Sequence, residues 1–261
     1  MLNLQKSPPP SIRAIFGGLI ASFCLFSACQ STSEVEPPLP KLGEAYAGLT
    51  VGRYIEYQAD SIIYDPQPLG NIKIDTFRLQ IREKIVDTFK DAQGMKRFRV
   101  EYSERKNATD AWNLKSIRTA TIGDQNVERT EGNLRFVVMP LFFNEKTTWT
   151  STVFINPDLE ISVADERITP FSKRWGATVL SFDKAETVGG KAFAQVLTTR
   201  AQTPASITNE KRYLLEKYAK GVGLVYRELQ ILDTQDLDAS VAWEKRAQRG
   251  FILKMTVLAH N

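Results

Sequence analysis

Asp75-Thr76-Phe77-Arg78-Leu79-Gln80-Ile81-Arg82-Glu83-Lys84-Ile85-Val86-Asp87-Thr88-Phe89 is the stretch that decides the fold. Phe77, Leu79, Ile81, Ile85 and Phe89 alternate with Thr76, Arg78, Gln80, Arg82, Lys84 and Thr88. Successive side chains of a strand point to opposite faces, so a period of two separates one apolar face from one wet face. A helix would scatter the same residues around its circumference. The stretch reads as a long half-buried strand or hairpin arm with those five apolar residues inside. Asp75-Thr76-Phe77 and Asp87-Thr88-Phe89 echo each other twelve positions apart, which reads as strand-end chemistry rather than a repeat array.

The same period runs outward in both directions. Ile55, Tyr57, Ala59 and Ile63 share a face; Phe98, Val100 and Tyr102 alternate with Arg97, Arg99 and Glu101; Phe251, Leu253, Met255, Val257 and Ala259 alternate with Lys254 and Thr256. Between such runs stand Asp91-Ala92-Gln93-Gly94, Gly123-Asp124, Gly132-Asn133 and Gly189-Gly190. There glycine or asparagine supplies the positive φ that tight hairpins need. Clean alternation with short connections specifies an antiparallel meander, since parallel strands read as unbroken apolar runs. The fold class is all-β with a minor α part: a single antiparallel meander of about ten or eleven strands, curled into a barrel or half-barrel with one or two short helices. Ser240 to Arg249 reads as one short helix, and Thr208 to Lys217 as a strand. The middle of the chain, with Pro140, Pro157 and Pro170, is expected to cover an open end of the sheet.

Composition excludes several chemistries. The single histidine is His260, next to the last residue, which removes His-based triads, multi-histidine zinc sites and most general-base schemes at neutral pH. Cys24 and Cys29 are the two cysteines, both near the start, so no disulfide framework is expected. No phosphate-binding loop, dinucleotide fingerprint or nucleophile elbow occurs, and no cofactor is expected. Asp233, Asp236 and Asp238 lie together in an expected loop, in which a solvated role outweighs calcium binding or hydrolysis. Lys96, Arg97, Arg99, Arg105 and Lys106 interleave with Phe98 and Tyr102, and period two puts the basic groups on the wet face. The net charge of +4 shrinks further once a leader carrying Lys6 and Arg13 is removed, so no nucleic-acid partner is expected.

That leader reads as residues 1–28: Lys6 and Arg13, an apolar run from Ala14 to Phe26, then Ser27 and Ala28 before Cys29. The run is too short and too interrupted by Gly17, Gly18 and Ser22 to span a bilayer, which takes roughly 20 apolar residues. Leu25-Phe26-Ser27-Ala28-Cys29 resembles a lipobox, the site at which bacterial lipoproteins receive diacylglycerol on the cysteine and are cleaved before it. Phe26 departs from the usual aliphatic residue there. Residues 29–45, polar and then proline-rich, read as a lipidated N-terminus and disordered tether, and 46–261 as the β-rich domain. Gln30 in place of Asp implies an outer-membrane destination, as the lipoprotein resemblance has it.

Tyr218-Ala219-Lys220-Gly221-Val222-Gly223-Leu224-Val225-Tyr226-Arg227-Glu228, the closing Gly250-Phe251-Ile252-Leu253-Lys254 and the opening Val51-Gly52-Arg53-Tyr54-Ile55-Glu56-Tyr57 resemble stretches of uncharacterised lipoproteins of the Bacteroidota. That family brings no catalytic residues. In layout the chain is also similar to the half-barrel carriers that move lipids and lipoproteins across the periplasm, an analogy of fold alone. The leading expectation is a non-enzymatic binding or carrier module for an apolar ligand, attached to the membrane through its N-terminal lipid, with aromatics lining a sheet that curls without closing. Phe142, Phe143, Trp149, Phe154 and Trp175 are the candidate pocket residues. A carrier needs a cavity of roughly 300 Å³ or more with apolar walls, and a filled interior ends that reading. The alternative is a structural or adaptor lipoprotein joined to an envelope protein, and a carboxylate-based hydrolase stands third.

Overall fold

A computed structural model describes residues 40–261 except Lys173 and Ala205; the leader, Cys29 and most of the tether lie outside the described residues. The chain forms α1 (Leu42–Ala47), β1 (Tyr54–Pro66), β2 (Ile72–Lys90), β3 (Lys96–Arg105), β4 (Asn113–Ile122), β5 (Asn126–Glu131), β6 (Leu134–Pro140) and β7 (Thr148–Thr150). There follow β8 (Ile161–Val163), β9 (Glu166–Ile168), β10 (Gly176–Val188), β11 (Lys191–Gln202), β12 (Glu210–Ala219), β13 (Gly223–Asp233), α2 (Trp243–Arg246) and β14 (Arg249–His260). Twelve strands make one antiparallel sheet in the order β6-β5-β4-β3-β2-β1-β14-β13-β12-β11-β10-β7, and β8 and β9 pair separately. The first and last strands, β1 and β14, therefore pair with each other in the middle of the sheet. Its outer strands nearly close the barrel: the Val137 N–H of β6 donates to Ser151 O at 2.9 Å, and the Trp149 indole N–H of β7 donates to Val137 O at 3.1 Å.

The turns form where glycine and asparagine permit them. Gly132 and Asn133 have φ of 53° and 66° between β5 and β6, and Gly189 and Gly190 have 58° and 76° between β10 and β11. Thr208 to Lys217 is largely β12, and α2 falls within the segment read as a helix.

Four expectations need correction. The structured part starts ahead of residue 46, because α1 occupies positions assigned to the tether. Gly43 N–H donates to Leu141 O, Gly221 N–H donates to Ala45 O, and Tyr46 is fully buried. A six-residue helix carries too little period to be seen in a sequence, and it survives here by tertiary packing. Phe89 lies on the outer face, because a register shift between Ile85 and Asp87 inverts the alternation, and the Arg99 guanidinium sits 5.3 Å from its ring. Phe77 keeps its phase with the buried Ile81 yet is 51% exposed. The reason is length: β3 pairs with β2 only from Gln80 to Lys90, so the first eight residues of β2 outrun their neighbour. The short β7, β8 and β9 bring the strands to fourteen among the described residues, more than the ten or eleven expected.

Two plugs fill the barrel ends. At one end α1 docks onto the β12–β13 turn. Gly48, at φ 65°, lies so close that an added Cβ would sit 2.2 Å from Val222 O. Tyr46 donates its hydroxyl hydrogen to Asp183 Oδ1 at 2.6 Å and accepts from Asp183 N–H at 3.0 Å, and burial raises its pKa. Asp183 stands at φ 52° in an irregular part of β10, which points its backbone N–H and carboxylate at one hydroxyl. Removing that hydroxyl in Tyr46→Phe is expected to cost about 1.5 kcal/mol and to speed amide exchange of α1 selectively. Faster exchange across the whole sheet would contradict the local role. At the other end the β8–β9 hairpin and the chain after it bury Ile168, Phe171 and Trp175 beneath the sheet, the cover expected of this proline-rich middle.

Candidate functional site: a ring of ion pairs across the barrel

Inside the barrel, alternation places several charged groups in phase with apolar ones. Arg129 and Glu131 follow Val127 on β5, Glu216 stands between Leu214 and Tyr218 on β12, and Arg227 lies between Val225 and Leu229 on β13. β5 and the β12–β13 pair stand on opposite walls, so these side chains meet across the lumen. Arg129 Nε lies 2.6 Å from Glu131 Oε1, and Glu131 Oε1 accepts from Arg227 Nη1 at 3.1 Å. Glu216 Oε1 accepts from Arg227 Nη2 at 2.7 Å and Nε at 2.9 Å, and from Arg129 Nη2 at 3.2 Å. Two acids and two bases thus form a closed, charge-balanced ring.

Neighbouring groups complete it. Tyr218 donates its hydroxyl hydrogen to Glu216 Oε2 at 2.7 Å, and Tyr57 donates to Leu224 O at 2.9 Å. Arg118 donates to Glu83 Oε1 at 2.8 Å with its guanidinium 3.6 Å from the Tyr102 ring centroid. Burial pushes the Glu216 carboxyl above the ordinary carboxylate range, against the pull of Arg129 and the Tyr218 hydrogen bond. It also pushes the Tyr57 and Tyr218 hydroxyls far up, so both stay neutral.

The ring divides the interior. One cavity of about 80 Å³ lies towards α1, with Ile55, Ile85, Val100, Val127, Met139 and Leu224 on its walls and Glu83, Arg118 and Arg129 beside them. Another of about 70 Å³ lies towards the second plug, lined by Phe136, Phe171, Trp175, Leu214, Leu229 and Ile231 with all four ring residues. Arg129 and Val138 border both. A third space of about 330 Å³, between the β1–β2 turn and the end of β13, is lined by Gln67, Asn71, Asp233 and Arg249 together with Pro66 and Ile72.

The five aromatics singled out in the sequence do not share a cavity. Phe142 and Phe143 pack near α1, with the Phe143 ring edge-on to Phe182 at 5.5 Å. Trp149 closes the seam between β6 and β7. Phe154 is half exposed beneath the Arg135 guanidinium, 3.7 Å from it. Trp175 alone of the five lines an interior cavity, its indole N–H donating to Pro170 O at 2.9 Å. Aromatic content marked packing here, whereas the ring went unseen because charges stand on both faces of the same strands. Glu128, Lys217 and Glu228 flank the inward charges, and phase alone separates the two sets.

The remaining candidates have structural surroundings. Asp233 holds Arg212 at 2.6 Å and Arg249 at 3.1 Å, while Asp236 and Asp238 accept backbone N–H groups of their own loop. Among the described residues, no group of three or more His, Cys, Asp or Glu is placed to hold a metal ion. Arg97 and Arg99 pair with Asp91 and Asp87, each at 2.9 Å, on the outer face as expected, with Phe98 buried. Gly221 and Gly223 shape the β12–β13 turn that receives α1, and the His260 ring lies 5.7 Å from that of Phe193.

Fold and site together define a nearly closed antiparallel barrel, plugged at both ends and braced by ion pairs across its lumen. The sequence matches no family profile and no curated protein. Two solved structures are similar. One, from Bacteroides fragilis, is provisionally described as an exported protein with a YmcC-like fold; it is 12% identical, covers 82% of this chain and 99% of its own, and has a TM-score of 0.37. The other, from Parabacteroides distasonis, is provisionally described as a lipoprotein; it is 11% identical, covers 83% of this chain and 98% of its own, and has a TM-score of 0.37.

Proposed function

We propose that this chain is a lipoprotein held to an outer membrane through Cys29, and that its barrel works as an adaptor among cell-envelope proteins. The anchor rests on the leader and the lipobox-like segment of the sequence. The adaptor role rests on one observation above all: the interior is occupied. Cavities of about 80 and 70 Å³ are far below the roughly 300 Å³ that a drug-sized or acyl ligand needs, and the ring stands between them. The space of about 330 Å³ lies at the β1–β2 turn and the end of β13 and shares no lining residue with either chamber.

The apolar walls of the two interior chambers keep a carrier as the second reading, one that requires the ring to open and the chambers to merge. Hydrolysis is the weakest reading. A glycosidase needs room for a sugar between its two carboxyl groups, whereas the guanidinium groups of Arg129 and Arg227 each contact both Glu131 and Glu216.

Three measurements test the proposal. Metabolic labelling with a fatty-acid analogue should mark the wild-type chain and leave Cys29→Ser unmarked and unanchored; equal labelling of both removes the anchor. Native mass spectrometry of the detergent-extracted protein should show no stoichiometric lipid beyond the anchor, and co-purification should return a fixed protein partner. A bound lipid or other apolar molecule in the barrel restores the carrier.

A further inference from the structure

We propose that two copies of this chain join edge to edge through the overhanging start of β2, about a two-fold axis at Ile74. The proposal takes the adaptor reading further and does not need the barrel to be empty or filled.

Residues 72–79 of β2 pair with β1 on one side, and β3 begins its pairing only at Gln80. Their other edge therefore presents unpaired backbone N–H and C=O groups, which an added strand satisfies. Side chains there are apolar to an extent an isolated surface does not require. Ile74 is 55% exposed and Leu69, at the β1–β2 tip, is wholly exposed with φ at 68°, a conformation unfavourable for a bulky residue. Pro66 and Pro68 stiffen the tip behind it.

The order of residues says what fits. In an antiparallel pair about Ile74, each residue faces the one an equal number of positions away in the other copy, on the same face of the sheet. Ile74 then meets Ile74, Ile72 meets Thr76, and each Lys73 meets Asp75 of the second copy. Lys73 and Asp75 share a face and already contact each other at 2.7 Å within one strand, so the second copy turns two local pairs into a reciprocal set of four charges. The same register carries Leu69 to the level of Leu79 of the second copy. A lysine on an open edge ordinarily discourages pairing; here the two-fold gives it an acid. Anchoring on one membrane raises the effective concentration of copies, so a short interface suffices.

The test uses the full-length chain in its native membrane, with Ile74→Cys. With Cys24 lost and Cys29 lipidated, residue 74 carries the free thiol. Mild oxidation should give a covalent dimer of this chain, because residue 74 faces itself across the axis. Thr76→Cys should not cross-link, since residue 76 then lies opposite 72. Adding Lys73→Glu to Ile74→Cys should lower the cross-linking yield roughly tenfold by setting like charges opposite one another, and adding Asp75→Lys as well should restore it. Far-ultraviolet circular dichroism confirms that each variant is folded.

A monomer, a cross-link indifferent to residue 73, a dimer through residue 76 in place of 74, or capture of a different protein at residue 74 overturns the proposal. In each of those cases the adaptor reading still stands or falls on the lipid and co-purification measurements.

Discussion

Arg227→Met is expected to destabilise the barrel by about 3–5 kcal/mol, seen as a fall in Tm of about 10 °C or more for a domain of this size. Arg227 contributes four of the contacts that close the ring, two to Glu216 and two to Glu131. Its loss leaves two acids facing Arg129 alone, and Glu216 is almost wholly buried. The cost is that of stranding charge, not of losing attraction, because the ion pair and the desolvation of its members largely offset each other. Replacing all four ring residues with apolar ones of similar size is therefore expected to recover most of the loss.

The pH dependence follows with a definite sign. Burial already raises the Glu216 carboxyl above the ordinary carboxylate range, and removing a neighbouring cation raises it further. A folded state that keeps its proton to higher pH than the unfolded chain loses stability as pH rises through the interval between the two values. The deficit of Arg227→Met against wild type should then be largest above that interval and shrink as pH falls towards the ordinary carboxylate range. A deficit constant with pH would show that Arg227 acts by packing and not by charge.

Gly250→Ala is expected to cost about 3 kcal/mol or more, enough to reduce the yield of folded protein. Gly250 opens the run of β14 between Tyr64 on β1 and Leu232 on β13, with φ at 113°, which side chains rarely adopt. A Cβ there would stand 2.0 Å from Ile231 O, a backbone atom that cannot swing aside. Gly190→Ala is the control: φ is 76° but nothing lies within 4 Å, so only the backbone term of about 1 kcal/mol applies. Chemical denaturation of both variants separates the steric cost from the conformational one, and equal midpoints would remove the clash from the account.

Much of this architecture was legible residue by residue. Ile55, Tyr57 and Ala59, or Phe98 and Val100, declare their strands because a pleated chain sorts neighbours to opposite faces, and that sorting is local. Gly132-Asn133 and Gly189-Gly190 declare their turns because positive φ is a property of single residues. The near-absence of histidine and the early position of both cysteines limited the available chemistry without reference to any fold. The lipid-anchor reading also belongs to the sequence, since the described residues begin after it.

Other features depend on separations of many tens of residues. Phe77 reads as core by its phase, yet the extent of β3 decides whether anything covers it. Phe89 changes face because one shifted register after Ile85 inverts everything beyond. α1 is too short to be stable alone and exists through Leu141, Asp183 and the β12–β13 turn. The ring requires Arg129 and Glu131 to find Glu216 and Arg227 across a lumen whose width is set by how far the sheet curls. Alternation, turn geometry and residue chemistry are fixed by neighbours along the chain and were determined by the sequence alone. Strand overlap, curvature and the meeting of opposite walls are properties of the closed sheet, and only the tertiary structure decided them.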